Sequence, residues 1–225
     1  MAGLPTAPMT WGRPMAFDQG QQQAALTIDP RRMAMASKIA GLAHAGQFRK
    51  GTAIPYLSHC FAVASLVMEY GGNEEQILAA LLHDVLEDGG AAYADTIRDA
   101  LGHGVLSIVE ACSDGTAEEK TSVSPHDRRA DWKVRKDAYL ARLVTESPEA
   151  LLVSGCDKLH NASSILKDLD CVGISVFDRF IGGLNGTLWY YTSVSSLMER
   201  RGCPVAPALS AVVTRIVTRC AESPV

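Results

Sequence analysis

The sequence predicts an all-α fold in a single domain, and three observations lead there. Ala and Leu dominate while Phe, Trp and Tyr make up only 6% of the residues, a bias toward helix over strand. Apolar runs are punctuated by Gly, Pro and Asn at the places where helices start and stop. No alternating apolar–polar pattern of a half-buried strand competes, and no internal repeat is visible.

Element by element, residues 1–27, with Pro5, Pro8, Pro14 and Gly20-Gln21-Gln22-Gln23, lack sustained periodicity and read as a disordered tail. Residues 28–225 read as one domain, long enough to bury a substantial core. Asp29-Pro30, a cap followed by a helix-starting proline, opens a first helix to about Gly46. The loop Gln47 to Pro55 carries Arg49-Lys50-Gly51. A second helix follows from about Tyr56 to Tyr70 and stops at Gly71-Gly72. Asn73 caps a third, with Gln76 at the capping-box position, and Gly89-Gly90 ends it. Two shorter helices, about 92–101 and 104–112, lead into a polar loop from Ser113 to Pro125. A charged helix at about 127–146 precedes Ser147-Pro148, and another runs from about Glu149 to Asp168. The last two, about 174–200 and 205–221, are separated by Gly202 and Pro204.

Composition excludes several function classes. A net charge of −4 argues against a broad nucleic-acid-binding face, though not against a local basic pocket for a phosphorylated ligand. The six cysteines are scattered, with no C-x-x-C pair. They behave as small hydrophobes in apolar helical patterns, which suits a reducing cytoplasm. The N-terminus lacks the basic and apolar regions of a signal peptide. No apolar stretch is long enough to suggest a membrane span.

The chemistry concentrates in Ile77-Leu78-Ala79-Ala80-Leu81-Leu82-His83-Asp84-Val85-Leu86-Glu87-Asp88. An apolar run leads straight into His-Asp, and two carboxylates follow one turn later. On a continuous helix His83, Asp84, Glu87 and Asp88 share one edge. Unpaired imidazole and carboxylate groups beside such a core cost several kcal/mol. A metal ion is the simplest common partner, because cations neutralise carboxylates and imidazole is the commonest ligand. Two further residues sit against apolar runs. His59 opens an amphipathic helix and, alone, is more often a satisfied core histidine than a ligand. Asp157 follows Leu151-Leu152-Val153-Ser154-Gly155-Cys156, with Asn161 and Ser164 at i+4 and i+7 on its face. A buried ion pair with Lys or Arg explains Asp157 as well as metal ligation does.

Taken together, a separated His, a His-Asp pair and a later Asp on helices resemble the ligand order of the HD-domain metal-dependent phosphohydrolases. The blocks Arg49-Lys50-Gly51 with Tyr56-Leu57-Ser58-His59, then His83-Asp84-Val85-Leu86-Glu87-Asp88, then Asp157-Lys158-Leu159-His160-Asn161 narrow this further. They resemble the alarmone hydrolase domain of the RelA/SpoT homologues, and the small alarmone hydrolases above all, over roughly residues 30–170. The resemblance implies an HD-domain helical bundle with the metal site between helices. It implies His59, His83, Asp84 and Asp157 as ligands of a single manganese ion. Glu87 and Asp88 would be the acid pair that positions and deprotonates the attacking water. Arg49 and Lys50 would hold pyrophosphate or base, Tyr56 would border the nucleoside, and Asn161 with Ser164 would contact the ribose or its phosphate. The implied reaction removes the 3′-pyrophosphate from (p)ppGpp. Two departures from the family pattern stand out. The loop from Arg49 to Tyr56 is longer than the commonest form, and Val153-Ser154-Gly155-Cys156 replaces the usual Lys and Leu-Ala before the aspartate.

Other readings stay open at this level. One is an HD phosphatase for another nucleotide, such as ppApp or the 2′-phosphate of NADPH. Another is a catalytically silent nucleotide-binding module, although an intact acid pair counts against silence. His44 is as well explained by structure as by the site. His103 and His126 are expected on the surface. The run Arg128-Arg129, Lys133, Arg135-Lys136, interleaved with acids, is expected to be a solvated helix face. Leu188-Trp189-Tyr190-Tyr191 is expected to pack a late helix onto the core.

Overall fold

The structure, a computed structural model, describes residues 27–114 and 127–222. The predicted tail falls almost wholly outside these residues, as do His126 and most of the polar loop after Ser113. The described chain forms helices α1 (Pro30–Ala43), α2 (Leu57–Glu69), α3 (Glu74–Leu82), α4 (Tyr93–Leu101) and α5 (His103–Cys112). After the undescribed stretch come α6 (Arg128–Leu143), α7 (Pro148–Val172), a 3₁₀ segment (Gly173–Arg179), α8 (Gly183–Arg200) and α9 (Ala206–Glu222). No strand forms among the described residues. An isolated antiparallel bridge between Phe48 and Pro55 closes the loop between α1 and α2.

Helix starts follow local chemistry. Asp29 accepts from the Arg31 amide, Asn73 and Gln76 complete a reciprocal capping box, and Ser147 accepts from the Ala150 amide ahead of Pro148. The central element is α7, 25 residues long, which packs against α2, α3, α5, α8 and α9. Beside it α3 is the most buried helix, with Ile77 through Leu82 all fully shielded from solvent. These two helices carry the polar residues that interrupt their apolar faces.

Gly155 permits the approach of the α8–α9 turn to α7. A Cβ there would run into Val205 Cγ1 and lie 3.2 Å from Cys203 Sγ. Gly155→Ala is therefore expected to overpack this contact and cost about 1–3 kcal/mol, read as a lower urea midpoint at unchanged slope.

Two predicted helices are interrupted. The third does not run through to Asp88: α3 ends at Leu82, and a single π-helical turn spans Val85–Gly89. The His83 ring explains the break, because its Nδ1 lies 2.8 Å from the Ala80 carbonyl, an acceptor the helix ladder would otherwise give to Asp84. The predicted 174–200 helix is likewise split, into the 3₁₀ segment and α8. Trp132 lies flat on the junction, where a Cβ at Gly182 would come within 2.7 Å of its ring, and Arg129 donates to the Gly182 carbonyl at 3.1 Å.

Candidate metal centre

Three segments bring the donors together: α2 supplies His59, the α3 terminus supplies His83 and Asp84, and α7 supplies Asp157. His83 Nε2 lies 3.0 Å from Asp84 Oδ2 and 3.6 Å from Asp157 Oδ1. His59 Nε2 lies 3.2 Å from Asp157 Oδ1 and 3.6 Å from Asp84 Oδ2. The two Nε2 atoms are 3.2 Å apart. Both histidines and Asp157 are buried, and Asp84 is nearly so.

Hydrogen bonds around the ring set which atoms face inward. A carbonyl only accepts, so His83 Nδ1 donates to Ala80 and Nε2 faces Asp84 and Asp157. His59 Nδ1 sits 2.7 Å from Nδ1 of His160. Burial, with His59 and Arg49 nearby, pushes His160 down to about 4, so it stays neutral and can accept that proton. His59 Nε2 faces the same centre. The ligand atoms of His59, His83 and Asp84 all lie within 4.8 Å of one another, with Asp157 Oδ1 beside both imidazoles, a donor set that fits a divalent transition metal.

The electrostatics agree. Burial alone would lower His83 and raise both aspartates. Instead the Asp84 and Asp157 charges lift His83 well above the usual imidazole range. His83 holds Asp84 far below the usual carboxylate range, and Lys158 with the two histidines does the same for Asp157. The cluster attracts positive charge to its middle.

Partners outside the cluster hold the carboxylates in place. Tyr56 donates its hydroxyl to Asp84 Oδ2 at 2.5 Å, and burial and the neighbouring acids keep that phenol protonated. Lys158 and Asn161 both donate to Asp157. Arg49 in turn donates to Asn161 Oδ1 at 2.6 Å, and its guanidinium stands 5.7 Å from the Tyr56 ring centre. Asp157 therefore has the lysine partner that one of its explanations from sequence calls for, and its Oδ1 also faces the two histidines. His44 is buried, bonded to Gln47 through Nδ1 at 2.8 Å and packed on Tyr56.

A cavity of about 300 Å³ opens beside the centre, at the lower end of small-ligand sites. Arg49, Lys50, Tyr56, Asp84, Glu87, Asp157, Asn161 and Ser164 all line it. Ser164 donates to the His160 carbonyl at 3.0 Å. Both members of the acid pair lie within the π turn, Val85–Gly89, rather than on a continuous helix. Glu87 lines the cavity and accepts from the Asp114 amide at 3.5 Å. Asp88 is not among the residues that line the cavity.

Sequence reasoning passed over three groups here. His160 reads as one more polar residue of its helix, and only the packing of α2 on α7 sets it against His59. Lys136 was expected on a solvated face. Instead it is 17% exposed, lines the cavity, pairs with Asp114 and stands 5.0 Å from the Tyr190 ring centre. Tyr190 and Tyr191 line the cavity as well as packing. Lys133 keeps to the expected surface role, paired with Asp137, and His103 is exposed. Burial pushes the Cys60 and Cys112 thiols up to about 12 and about 11, so neither ionises near neutrality.

Residues 36–175 match the family model described as HD domain. The chain is 40% identical over 135 residues, 60% of its length, to the bifunctional (p)ppGpp synthase/hydrolase SpoT of Escherichia coli K12. It is 30% identical over 128 residues, 56% of its length, to a guanosine-3′,5′-bis(diphosphate) 3′-pyrophosphohydrolase of Haemophilus influenzae. It spans 18% of the length of each of these proteins. The solved structure of a metazoan SpoT ortholog that hydrolyses ppGpp shares the fold, with a TM-score of 0.64 at 22% identity over 84% of this chain and 97% of that one. Among the described residues, no helix is long and apolar enough to cross a membrane.

Proposed function

Because the chain belongs to the HD-domain family, we propose that it is a manganese-dependent hydrolase that removes the 3′-pyrophosphate from (p)ppGpp, giving GDP or GTP and pyrophosphate. Residues 28–225 act as one hydrolase domain on a small nucleotide in the cytoplasm. What supports this most is the cluster of His59, His83 and Asp84, with Asp157 against both histidines, at the wall of a cavity rich in cations and aromatic rings.

In this reading those four residues hold one ion, with His160 and Tyr56 fixing the orientation of His59 and Asp84. When bound, a divalent ion lowers the pKa of water and offsets charge on phosphoryl oxygens. Glu87, the member of the acid pair that lines the cavity, takes the proton of the attacking water. The water oxygen bonds to the phosphorus carried on the 3′ oxygen. The bond from that phosphorus to the 3′ oxygen breaks, and the 3′ oxygen takes up a proton. Arg49 and Lys50 grip the anionic substrate, Tyr56 borders the nucleoside, and Asn161 with Ser164 meets the ribose or its phosphate. Guanidinium suits this task because its planar fork matches phosphate oxygens.

The test is incubation with Mn²⁺ and a panel of ppGpp, pppGpp, ppApp and NADPH, with pyrophosphate and orthophosphate release measured separately. Pyrophosphate from the guanosine compounds is the expected result. Orthophosphate alone, or turnover of NADPH alone, would overturn it. A narrower check addresses His160. Loss of a partner behind a ligating histidine typically weakens metal binding about 10–100-fold. His160→Ala is expected to do so in a Mn²⁺ titration, with much of the turnover restored at saturating metal. An unchanged metal affinity would reduce the His59–His160 contact to packing.

A further inference from the structure

The cavity extends well beyond the metal centre. Asp157 and Asp168 both line it, yet they are eleven residues apart on α7, roughly 16 Å along the helix axis. At the Asp168 end stands Arg179, from the 3₁₀ segment just past the residues that match the family model. Its Nη1 donates to Asp168 Oδ2 at 2.5 Å, and its side chain is 22% exposed. The loop that carries Arg49 and Lys50 rests on its stem. Gly51, at φ +70°, leaves no room for a Cβ, which would lie 2.7 Å from Arg179 Cδ and 2.8 Å from Nε.

The two ends of the cavity differ in charge. Asp84, Glu87, Asp114 and Asp157 line the inner end with Arg49, Lys136 and Lys158, whereas Lys167 and Arg179 accompany the single carboxylate of Asp168 at the outer end. The excess of cations at the outer end suits an anion. An ion pair this exposed adds little stability, so the useful effect of Asp168 is to hold the guanidinium in one orientation. With one nitrogen so engaged, the fork retains N–H donors for phosphate oxygens.

We propose that Arg179 binds the 5′ phosphate of the nucleotide whose 3′ end lies at the metal centre, with Asp168 as its positioning residue. This rests on the 3′-pyrophosphate reading above and adds to it how the opposite end of the ligand is recognised. A 5′-phosphorylated nucleotide is then distinguished from its 5′-hydroxyl counterpart by contacts remote from the reacting phosphorus.

Calorimetric titration of the Mn²⁺-loaded protein with guanosine 3′,5′-bisphosphate and with guanosine 3′-monophosphate tests this. The unmodified protein should bind the bisphosphate more tightly. Arg179→Ala should weaken bisphosphate binding roughly ten- to a hundredfold, as expected for lost charge-assisted hydrogen bonds. It should leave the monophosphate within about threefold. Arg179→Lys should fall between, since an ammonium cannot fork. Asp168→Ala, which removes the positioning carboxylate, should weaken bisphosphate binding by less than Arg179→Ala does and leave the monophosphate within about threefold. Equal losses for both ligands in Arg179→Ala and Arg179→Lys, or no preference for the bisphosphate in the unmodified protein, would overturn the proposal. Hydrolysis of ppGpp by the unmodified protein is scored in parallel. Its absence counts against the proposed reaction, whereas loss of 5′ discrimination counts against Arg179.

Discussion

Asp157→Ala is expected to lose bound metal and turnover together, with activity falling to the level of chelator-treated protein. Asp157 Oδ1 lies within 3.6 Å of both histidine Nε2 atoms, so its removal takes away one of the four proposed ligands. Returning Mn²⁺ should restore the stripped unmodified protein and not the variant. The same substitution leaves Lys158 buried without the carboxylate that holds its charge against desolvation. Breaking a buried pair from one side typically costs about 3–5 kcal/mol, so a lower melting temperature should accompany the metal loss. A purely structural ion pair predicts the second effect without the first. Metal content and melting temperature measured on one sample separate the two, and a variant that keeps its metal would remove Asp157 from the ligand set.

Glu87→Gln is expected to lower kcat by about 10²–10⁴, the usual contribution of a positioned general base. Metal content and KM should change little, because the loss falls on the transition state. Gln keeps the shape, and its amide can still accept from Asp114. Asp88→Asn should be the milder change, since Glu87 lines the cavity and Asp88 does not. A steady-state comparison of the two variants decides between them. Near-normal kcat in Glu87→Gln would move the base elsewhere, and near-normal kcat in both would remove the mechanism from this turn.

Much of the fold was legible because its signals are local. Asp29-Pro30, Asn73 with Gln76 and Ser147-Pro148 each satisfy amides within three residues of themselves, so they act the same way in any surroundings. The donor residues stood out for a related reason: each is a polar group set in or beside an apolar helical face, which needs a partner wherever the chain folds. What stayed hidden depends on contacts between distant segments. The end of α3 at Leu82 follows from a ring bonding to a carbonyl, and the split near Gly182 from Trp132 lying across it. Lys136 sits inside an alternating charge pattern typical of a wet surface. Only its pairing with Asp114 and its place over Tyr190 turn it inward.

The π turn at Val85–Gly89 divides two demands that a straight helix would force onto one register. Along α3, successive residues answer to the space between α1, α2, α5 and α7. Beyond Leu82 the widened turn resets the angular phase, so the acids can be aimed independently of how the apolar residues interlock. Substitutions that repack Ile77 to Leu82 are thereby free to drift without re-aiming Glu87, and the acid turn can change its aim without unpicking the core. Stability and chemistry sit next to each other in the chain, yet they can vary separately.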